Sequence, residues 1–135
     1  DLSRASFKII EIEKKYRLIK NSKNILELGS APGGWSQVIT DTNPKANVCG
    51  FDLLDMKFNH PNFRFFRDDF MLYDYSKFPY KFDLILSDIA PNTTGHQSTD
   101  HLRIASMIED IIFILDKIAL VNSSFIFKRN KMLFF

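Results

Sequence analysis

Short apolar runs separated by polar turns recur along this chain of 135 residues. Runs of four or five residues that are mostly apolar, and that stop near a glycine or a charged side chain, are typical of buried strands. Such runs predict a protein with five strands. They cover residues 24–28, 47–51, 63–66, 82–86 and 124–127.

Helical spacing of apolar residues occupies the longer gaps between these strands. Helices are predicted over residues 4–20, with Ser3 as the cap, over 33–43, and over 100–118. The side chains that define the apolar faces are Ile9, Ile12 and Tyr16 in the first helix and Ile104, Ile108, Ile111, Leu115 and Ile118 in the third.

Alternation of strands and helices favours a parallel sheet that is covered by helices on both faces. No internal repeat, low-complexity tract or linker interrupts the pattern. We therefore expect a single α/β domain over residues 1–135, built on a doubly wound, mostly parallel sheet.

The residues that follow the predicted strands are charged or rich in glycine. In a doubly wound sheet, ligands bind outside the carboxyl ends of the strands, near the point where the strand order reverses. If these residues served only to end the strands, four charged groups would not be expected along that one edge. The residues expected there are the loop Gly29–Gly34, Asp52, Asp69, Asp88 and Lys128.

The loop from Gly29 to Gly34 indicates a ligand that the backbone approaches closely, because glycine has no Cβ and tolerates positive φ. The loop differs from the dinucleotide fingerprint and from the P-loop, which disfavours a bound pyrophosphate. Asp52 lies 19 residues beyond Gly33, where an acidic residue is suited to bind ribose hydroxyls. S-adenosylmethionine, a cation with an adenosine and no phosphates, fits this pattern better than NAD does.

The charge of the chain is unevenly distributed. Residues 1–23 carry seven Lys and Arg against three acidic side chains, a balance of +4, whereas the whole chain sums to +2. A basic end of this kind suits contact with a phosphate backbone. A solvated helix face has the same composition, so charge alone leaves both interpretations open.

The single cysteine, Cys49, excludes an internal disulfide and fits a reducing compartment. The sequence shows no apolar stretch long enough to span a bilayer and no basic-then-apolar segment at its start. We therefore expect a protein of the cytoplasm or of the matrix of an organelle, with no membrane partner. We also expect a monomer. His60, His96 and His101 share no metal-ligand spacing with Cys49, so no metal site is predicted.

Four blocks of the sequence carry a resemblance to a known family. They are 3–8 (Ser-Arg-Ala-Ser-Phe-Lys), 28–37 (Leu-Gly-Ser-Ala-Pro-Gly-Gly-Trp-Ser-Gln), 52–54 (Asp-Leu-Leu) and 87–92 (Ser-Asp-Ile-Ala-Pro-Asn). In this order and spacing the chain resembles the FtsJ/RrmJ family, whose members are ribose 2′-O-methyltransferases of large-subunit ribosomal RNA. The resemblance extends from residue 3 to Lys128.

This resemblance implies a Rossmann-like methyltransferase fold that uses S-adenosylmethionine to methylate a ribose, expected to be that of a uridine, in the large ribosomal subunit. It implies that Lys8, Asp88 and Lys128 are catalytic. From the chemistry of methyl transfer we assign Lys128 as the base, Asp88 as the residue that orients it, and Lys8 as the residue that positions the substrate and lowers the pKa of the base. A methyltransferase of transfer RNA or of the mRNA cap is the alternative, as is a non-catalytic RNA-binding member of the fold. The implied donor-binding residues are Gly29, Ala31, Pro32, Gly33, Gly34, Trp35, Asp52, Leu53, Asp69 and Asp88.

Several assignments have a structural alternative. Trp35 suits packing as well as it suits contact with the donor. Phe63, Phe65 and Phe66 have the chemistry to stack on RNA bases, but a buried strand is the favoured interpretation.

The sequence departs from the family pattern at both ends. The fourth catalytic residue of the family, a glutamate on a later strand, has no counterpart here. Residues 129–135 do not match the stretch that follows the second catalytic lysine, and the basic segment ahead of residue 3 has no counterpart either. We therefore expect the domain to be incomplete at its carboxyl end.

Overall fold

The computed structural model describes residues 4–31, 33–88, 95–129 and 132–134. Side chains are described from Ser6 to Phe127 within those ranges. The predicted cap Ser3, the predicted donor-binding residue Pro32, the motif residues 89–92 and the side chain of Lys128 lie outside the described parts.

The described residues form a sheet of six strands. These are β1 (Asn24–Leu28), β2 (Asn47–Asp52), β3 (Phe63–Arg67), β4 (Phe82–Ser87), β5 (Ala119–Arg129) and β6 (Met132–Phe134). Their order across the sheet is β3-β2-β1-β4-β5-β6. The first five strands are parallel and β6 is antiparallel to β5. The strand order reverses between β1 and β4, so the predicted doubly wound, mostly parallel sheet is confirmed.

The predicted helices are all present, with shifted ends. They are α1 (Arg4–Tyr16), α2 (Gly34–Thr42) and α3 (Gln97–Ile118). The prediction of a helix to residue 20 was wrong, because the chain leaves the helical path at Arg17, whose φ is 52°. The third helix begins before the predicted start, at Gln97.

Strand β5 is longer than the predicted strand 124–127 because it contains a bulge. Phe82 of β4 pairs with Ala119, and Leu84 pairs with Ser124, so β5 carries extra residues between these two pairs. Asn122 lies in this segment with a φ of 65°, as expected for a bulged strand. The sequence pattern had detected only the part that pairs regularly with β4, and it missed residues 128 and 129, which pair with β6.

One apolar layer lies between the sheet and helices α1 and α2. It contains Ile9 from α1, Ile39 from α2 and Ile25 from β1, all fully buried. Of the other predicted face residues of α1, Ile12 is half-buried, whereas Tyr16 at the end of the helix is 40% exposed. Helix α1 is therefore held by its first half and by Ile12.

The second apolar layer covers the opposite face with α3 and a segment rich in aromatic residues. Of the predicted stripe on α3, Ile111 and Ile118 are buried and the other members are partly buried, while Ile114 joins them. Phe66 of the predicted aromatic cluster stacks on Phe51 with ring centroids 4.8 Å apart, which agrees with the buried-strand interpretation. Aromatic side chains between β3 and β4 thus cover the sheet where a helix is commonly found.

Candidate active site

Backbone hydrogen bonds hold the carboxyl ends of four neighbouring strands together. The N–H groups of Gly29 and Ser30, after β1, both donate to the carbonyl of Phe51 in β2, at 2.8 and 3.1 Å. Asp88, after β4, donates its N–H to Leu28 at 3.0 Å, and Asp68, after β3, donates to Asp52 at 3.1 Å. The predicted convergence of the strand ends is therefore present in the backbone.

The glycine loop runs directly into α2. Gly33, the residue before the helix, has a φ of +117°, and a Cβ at this position would lie 3.1 Å from the Cβ of Phe58. Gly33 contributes no side chain to cap the helix, so the N–H groups of the first turn are left for another acceptor. A helix start of this kind binds carboxylates and other anions.

Asp52, at the end of β2, is tied to the glycine loop. One carboxylate oxygen accepts a hydrogen bond from the N–H of Ala31 at 2.9 Å, and the other accepts from the N–H of Leu54 at 2.9 Å. Each oxygen has a second lone pair, so the carboxylate can still accept hydroxyl donors from a ligand. Leu53 is 66% exposed beside it, which gives the rim of the site an apolar side chain.

Asp69 lies on the same edge, beyond the end of β3. Its carboxylate accepts a hydrogen bond from the N–H of Met71 at 2.9 Å, and the side chain is half-buried. The neighbouring Asp68 is exposed. Of these two acidic residues, Asp69 is the more buried, and its role in binding the donor stays a prediction.

Asp88 and Lys128 occupy equivalent positions on neighbouring strands. Ser87 pairs with Phe127 in the parallel ladder between β4 and β5, so the residues that follow each of them are adjacent at the carboxyl edge. Neighbouring strands are about 4.8 Å apart. The backbone therefore brings together two of the three residues implied to be catalytic.

Lys8, the third of these residues, lies on α1. Its Nζ is 3.8 Å from a carboxylate oxygen of Glu11, one turn further along the helix, and the side chain is half exposed. The adjacent Ile9 packs in the apolar layer that also contains Trp35, from the first turn of α2. Helix α1 thus packs on the same face of the sheet as α2, which follows the glycine loop. Lys8 forms an ion pair with Glu11 of its own helix.

Sequence reasoning missed Glu27, a buried acid in the middle of β1. Its neighbours across the sheet are Gly50 and Leu86, and it is 1% exposed. The hydroxyl of Ser36 in α2 donates a hydrogen bond of 2.5 Å to its carboxylate. An acidic residue within the otherwise apolar run Asn-Ile-Leu-Glu-Leu was the signal that would have identified it.

Burial raises the pKa of Glu27 to about 8. The hydrogen bond from Ser36 opposes this shift, and the negative charges of Asp88 and Asp52 add to it. Glu27 is therefore mostly protonated at neutral pH, at the centre of a group of acidic side chains. A cation bound near this group would favour the ionised form.

Trp35 lies at the start of α2 and is buried in the first apolar layer. Its indole N–H and the hydroxyl of Ser30 are buried without a hydrogen-bond partner among the described residues. A buried polar group without a partner is uncommon in folded proteins and marks a place where a ligand or water can bind. Ser30 lies within the glycine loop, and Trp35 directly follows it.

The described residues contain no group of three His, Cys, Asp or Glu side chains positioned to bind a metal ion. No helix in the described ranges has the length and apolarity needed to cross a bilayer.

Comparison with known proteins identifies the family. The model of the FtsJ-like methyltransferase family matches residues 2–132. The ribosomal RNA large subunit methyltransferase E of Zymomonas mobilis is 38% identical over 131 residues, which cover 93% of this chain and 59% of the relative. The protein of the same name from Novosphingobium aromaticivorans is 42% identical over 115 residues, covering 82% of this chain and 51% of the relative. The chain thus spans about half the length of the curated relatives it matches.

A structural comparison agrees with this result. The crystal structure of a protein from Plasmodium falciparum, described as a ribosomal RNA methyltransferase, superimposes with a TM-score of 0.84 at 29% identity. The match covers 94% of this chain and 77% of that one. The sequence match, the fold and the grouping of motif residues at one edge of the sheet lead to the same conclusion: this chain belongs to the FtsJ-like methyltransferase family.

Proposed function

We propose that the chain provides the donor-binding and catalytic core of an S-adenosylmethionine-dependent enzyme that methylates a ribose 2′-hydroxyl, that of a uridine, in large-subunit ribosomal RNA. The observation that carries the proposal is the adjacency of Asp88 and Lys128 at the edge that also holds the glycine loop and Asp52. Relatives that match the chain are named large-subunit ribosomal RNA methyltransferases. We assign the enzyme to the cytoplasm or an organelle matrix.

The residues at this edge fit a cationic donor without phosphates. Asp52 and Asp88 are close enough to Glu27 for their negative charges to raise its pKa, and these two carboxylates favour a positively charged ligand. The uncapped first turn of α2 suits a carboxylate such as that of an amino acid. The loop contains no lysine to neutralise a pyrophosphate. S-adenosylmethionine, when bound, supplies a methyl group that is activated by its sulfonium sulfur.

The chain's own residues would then prepare the acceptor. A ribose hydroxyl is a poor nucleophile, so its proton must be removed as the new bond forms. We assign proton removal to Lys128 and assign to Asp88 the role of holding the lysine amine in position. Lysine acts as a base near neutral pH only where burial or neighbouring positive charge lowers its pKa. Lys8, on the adjacent helix, is assigned as that neighbouring charge and as a contact for the substrate.

The substrate is tested by offering donor with a labelled methyl group together with ribosomal RNA of the large subunit, transfer RNA or capped mRNA. We expect label in the ribosomal RNA alone. Methylation of the 2′-hydroxyl removes the nucleophile for alkaline cleavage, so the label should be recovered in alkali-resistant dinucleotides that begin with uridine. Label on transfer RNA, on the cap or on a base would contradict the proposal.

The role of Lys128 is tested by replacing it with alanine and with arginine. Loss of the base should lower methyl transfer by about 10²- to 10⁴-fold, while the affinity for S-adenosylmethionine measured by calorimetry stays nearly unchanged. Lys128→Arg keeps the positive charge but is not deprotonated near neutral pH, so it should be as inactive as Lys128→Ala. Lys77→Ala, at an exposed lysine away from this edge, is the control. Full activity of Lys128→Arg would exclude the base assignment.

A further inference from the structure

A row of exposed lysines lies along the amino edge of the sheet, opposite the candidate active site. We call it the lysine row, and every member is exposed. Two members immediately precede β1 and β4, and a third lies two residues before β2. One member lies in the last turn of α3, and one lies in the loop after α1. The lysine row consists of Lys20, Lys23, Lys45, Lys81 and Lys117.

Hydrogen bonds between the connecting loops make this row one continuous surface. The N–H of Asn47, at the start of β2, donates to the carbonyl of Lys23 at 2.8 Å. The side chain of Asn24 reaches the carbonyl of Lys81 at 3.5 Å, and the Nζ of Lys81 lies 3.4 Å from the carbonyl of Asp116, next to Lys117. The lysines along β2, β1, β4 and β5 therefore span three inter-strand spacings, about 14 Å.

The side chain of Asn43 extends the same surface toward α1. Its Nδ2 donates to the carbonyl of Ile19 at 2.9 Å and to that of Ser22 at 2.8 Å, and it lies 3.4 Å from the carbonyl of Lys20. This places the loop that carries Lys20 beside the α2–β2 turn that carries Lys45. The row is fixed by the backbone, although its side chains extend into solvent.

Acidic residues at this edge compensate the row only in part. The carboxylate of Asp83 accepts the N–H groups of Lys23 and Asn24, both at 2.8 Å, and that of Glu13 accepts those of Ile19 and Lys20, at 2.7 and 3.1 Å. Both carboxylates are therefore held by backbone groups. Asp41 and Asp116 are the exposed acids nearby. Within the described ranges, none of the five lysines forms an ion pair.

We propose that the lysine row is a second contact surface for RNA, which binds the phosphate backbone at a distance from the nucleotide to be methylated. The inference rests on the proposed function for the identity of the polyanion. Helix α1 links the two edges of the sheet and is about 20 Å long, so only an RNA that extends around the molecule contacts both. Large, folded RNA meets this requirement, whereas a trinucleotide, about 10 Å long at roughly 3.4 Å per nucleotide, does not.

The test compares the chain with a triple variant, Lys23→Gln/Lys45→Gln/Lys81→Gln. Binding to a large-subunit ribosomal RNA fragment and, as the short RNA, to a trinucleotide is measured at several salt concentrations. Each lost contact with single-stranded RNA should reduce the slope of log affinity against log salt by about 0.7, a total of about 2. The triple variant should therefore bind the long RNA at least tenfold more weakly in low salt and the short RNA equally well.

The matched control is Lys57→Gln/Lys77→Gln, which removes two exposed lysines outside the row. An unchanged slope in the triple variant, or a reduction per lysine equal to that of the control, would refute the inference. A higher affinity of the unsubstituted chain for anionic lipid vesicles than for RNA would also refute the inference. Methyl transfer by the unsubstituted chain is measured in parallel. Its absence would contradict the proposed function but would leave the comparison of salt slopes, and therefore the test of the lysine row, unchanged.

Discussion

At the scale of single residues, Glu27 is the side chain whose chemistry is most altered by the fold. It lies beneath the start of α2 and has only the hydroxyl of Ser36 as its described hydrogen-bond donor. Two further carboxylates raise its pKa in addition to burial. A carboxylic acid in this setting is stable when protonated and unfavourable when ionised.

We predict that Glu27 makes the protein less stable as the pH rises. Its folded-state pKa, about 8, exceeds the ordinary value of 4.5, so the folded state binds the proton more tightly. The resulting stabilisation is complete below about pH 4.5 and is lost as the pH passes through 8. Each pKa unit corresponds to about 1.4 kcal/mol, so the contribution is on the order of 5 kcal/mol.

The measurement is urea unfolding of the chain and of Glu27→Gln between pH 5 and pH 9. The glutamine cannot ionise and can still accept the Ser36 hydrogen bond. The difference in free energy of unfolding between the two proteins should therefore shift in favour of the variant as the pH rises. A difference that does not change with pH would show that Glu27 is already ionised in the folded protein.

At the scale of elements, α3 shows how a helix is divided between core and solvent. Ile111 and Ile112 are consecutive and chemically identical, yet Ile111 is 0% exposed and Ile112 is 56% exposed. Successive residues of a helix are rotated by about 100°. Only the first of the two therefore faces the sheet.

We predict that Ile111→Ala lowers the free energy of unfolding by about 2–5 kcal/mol, because it removes buried atoms and leaves a cavity. Ile112→Ala is the matched control and should change it by no more than about 0.5 kcal/mol. Chemical denaturation of both variants measures this contrast. Similar losses for the two variants would mean that the outer face of α3 is also covered.

At the scale of the whole molecule, the two apolar layers share the central strands. Ile25 of β1 belongs to the layer under α1 and α2, whereas Leu26, the next residue, belongs to the layer under α3. A strand cannot leave one layer without disrupting the other. The two layers should therefore unfold together.

The only tryptophan, Trp35, reports on the first layer, and the aromatic segment that includes Tyr73 and Tyr75 reports on the second. We predict that tryptophan fluorescence and tyrosine circular dichroism give the same urea midpoint. The variant Ile39→Ala removes buried atoms from the first layer, and both urea midpoints should decrease by the same amount. Separate transitions would show that the layers are independent.

The sequence by itself determined the five parallel strands, the three helices and the glycine loop, because periodicity and the conformational freedom of glycine are local properties. It missed the sixth strand, β6, which is antiparallel to β5. It also indicated that Asp52, Asp69 and Asp88 lie at one edge, since parallel strands end on the same side. It did not determine where α1 ends, because leaving the helix at Arg17 depends on Asn43 and Glu13 binding the following loop.

Only the tertiary structure identified Glu27 as a buried acid and the five lysines as one row. Glu27 is distinctive because α2 covers it and two other strands bring their carboxylates near. Lys23, Lys45 and Lys81 are far apart along the chain and become neighbours through strand order and register. Both features depend on distances between residues remote in sequence, which no local pattern contains.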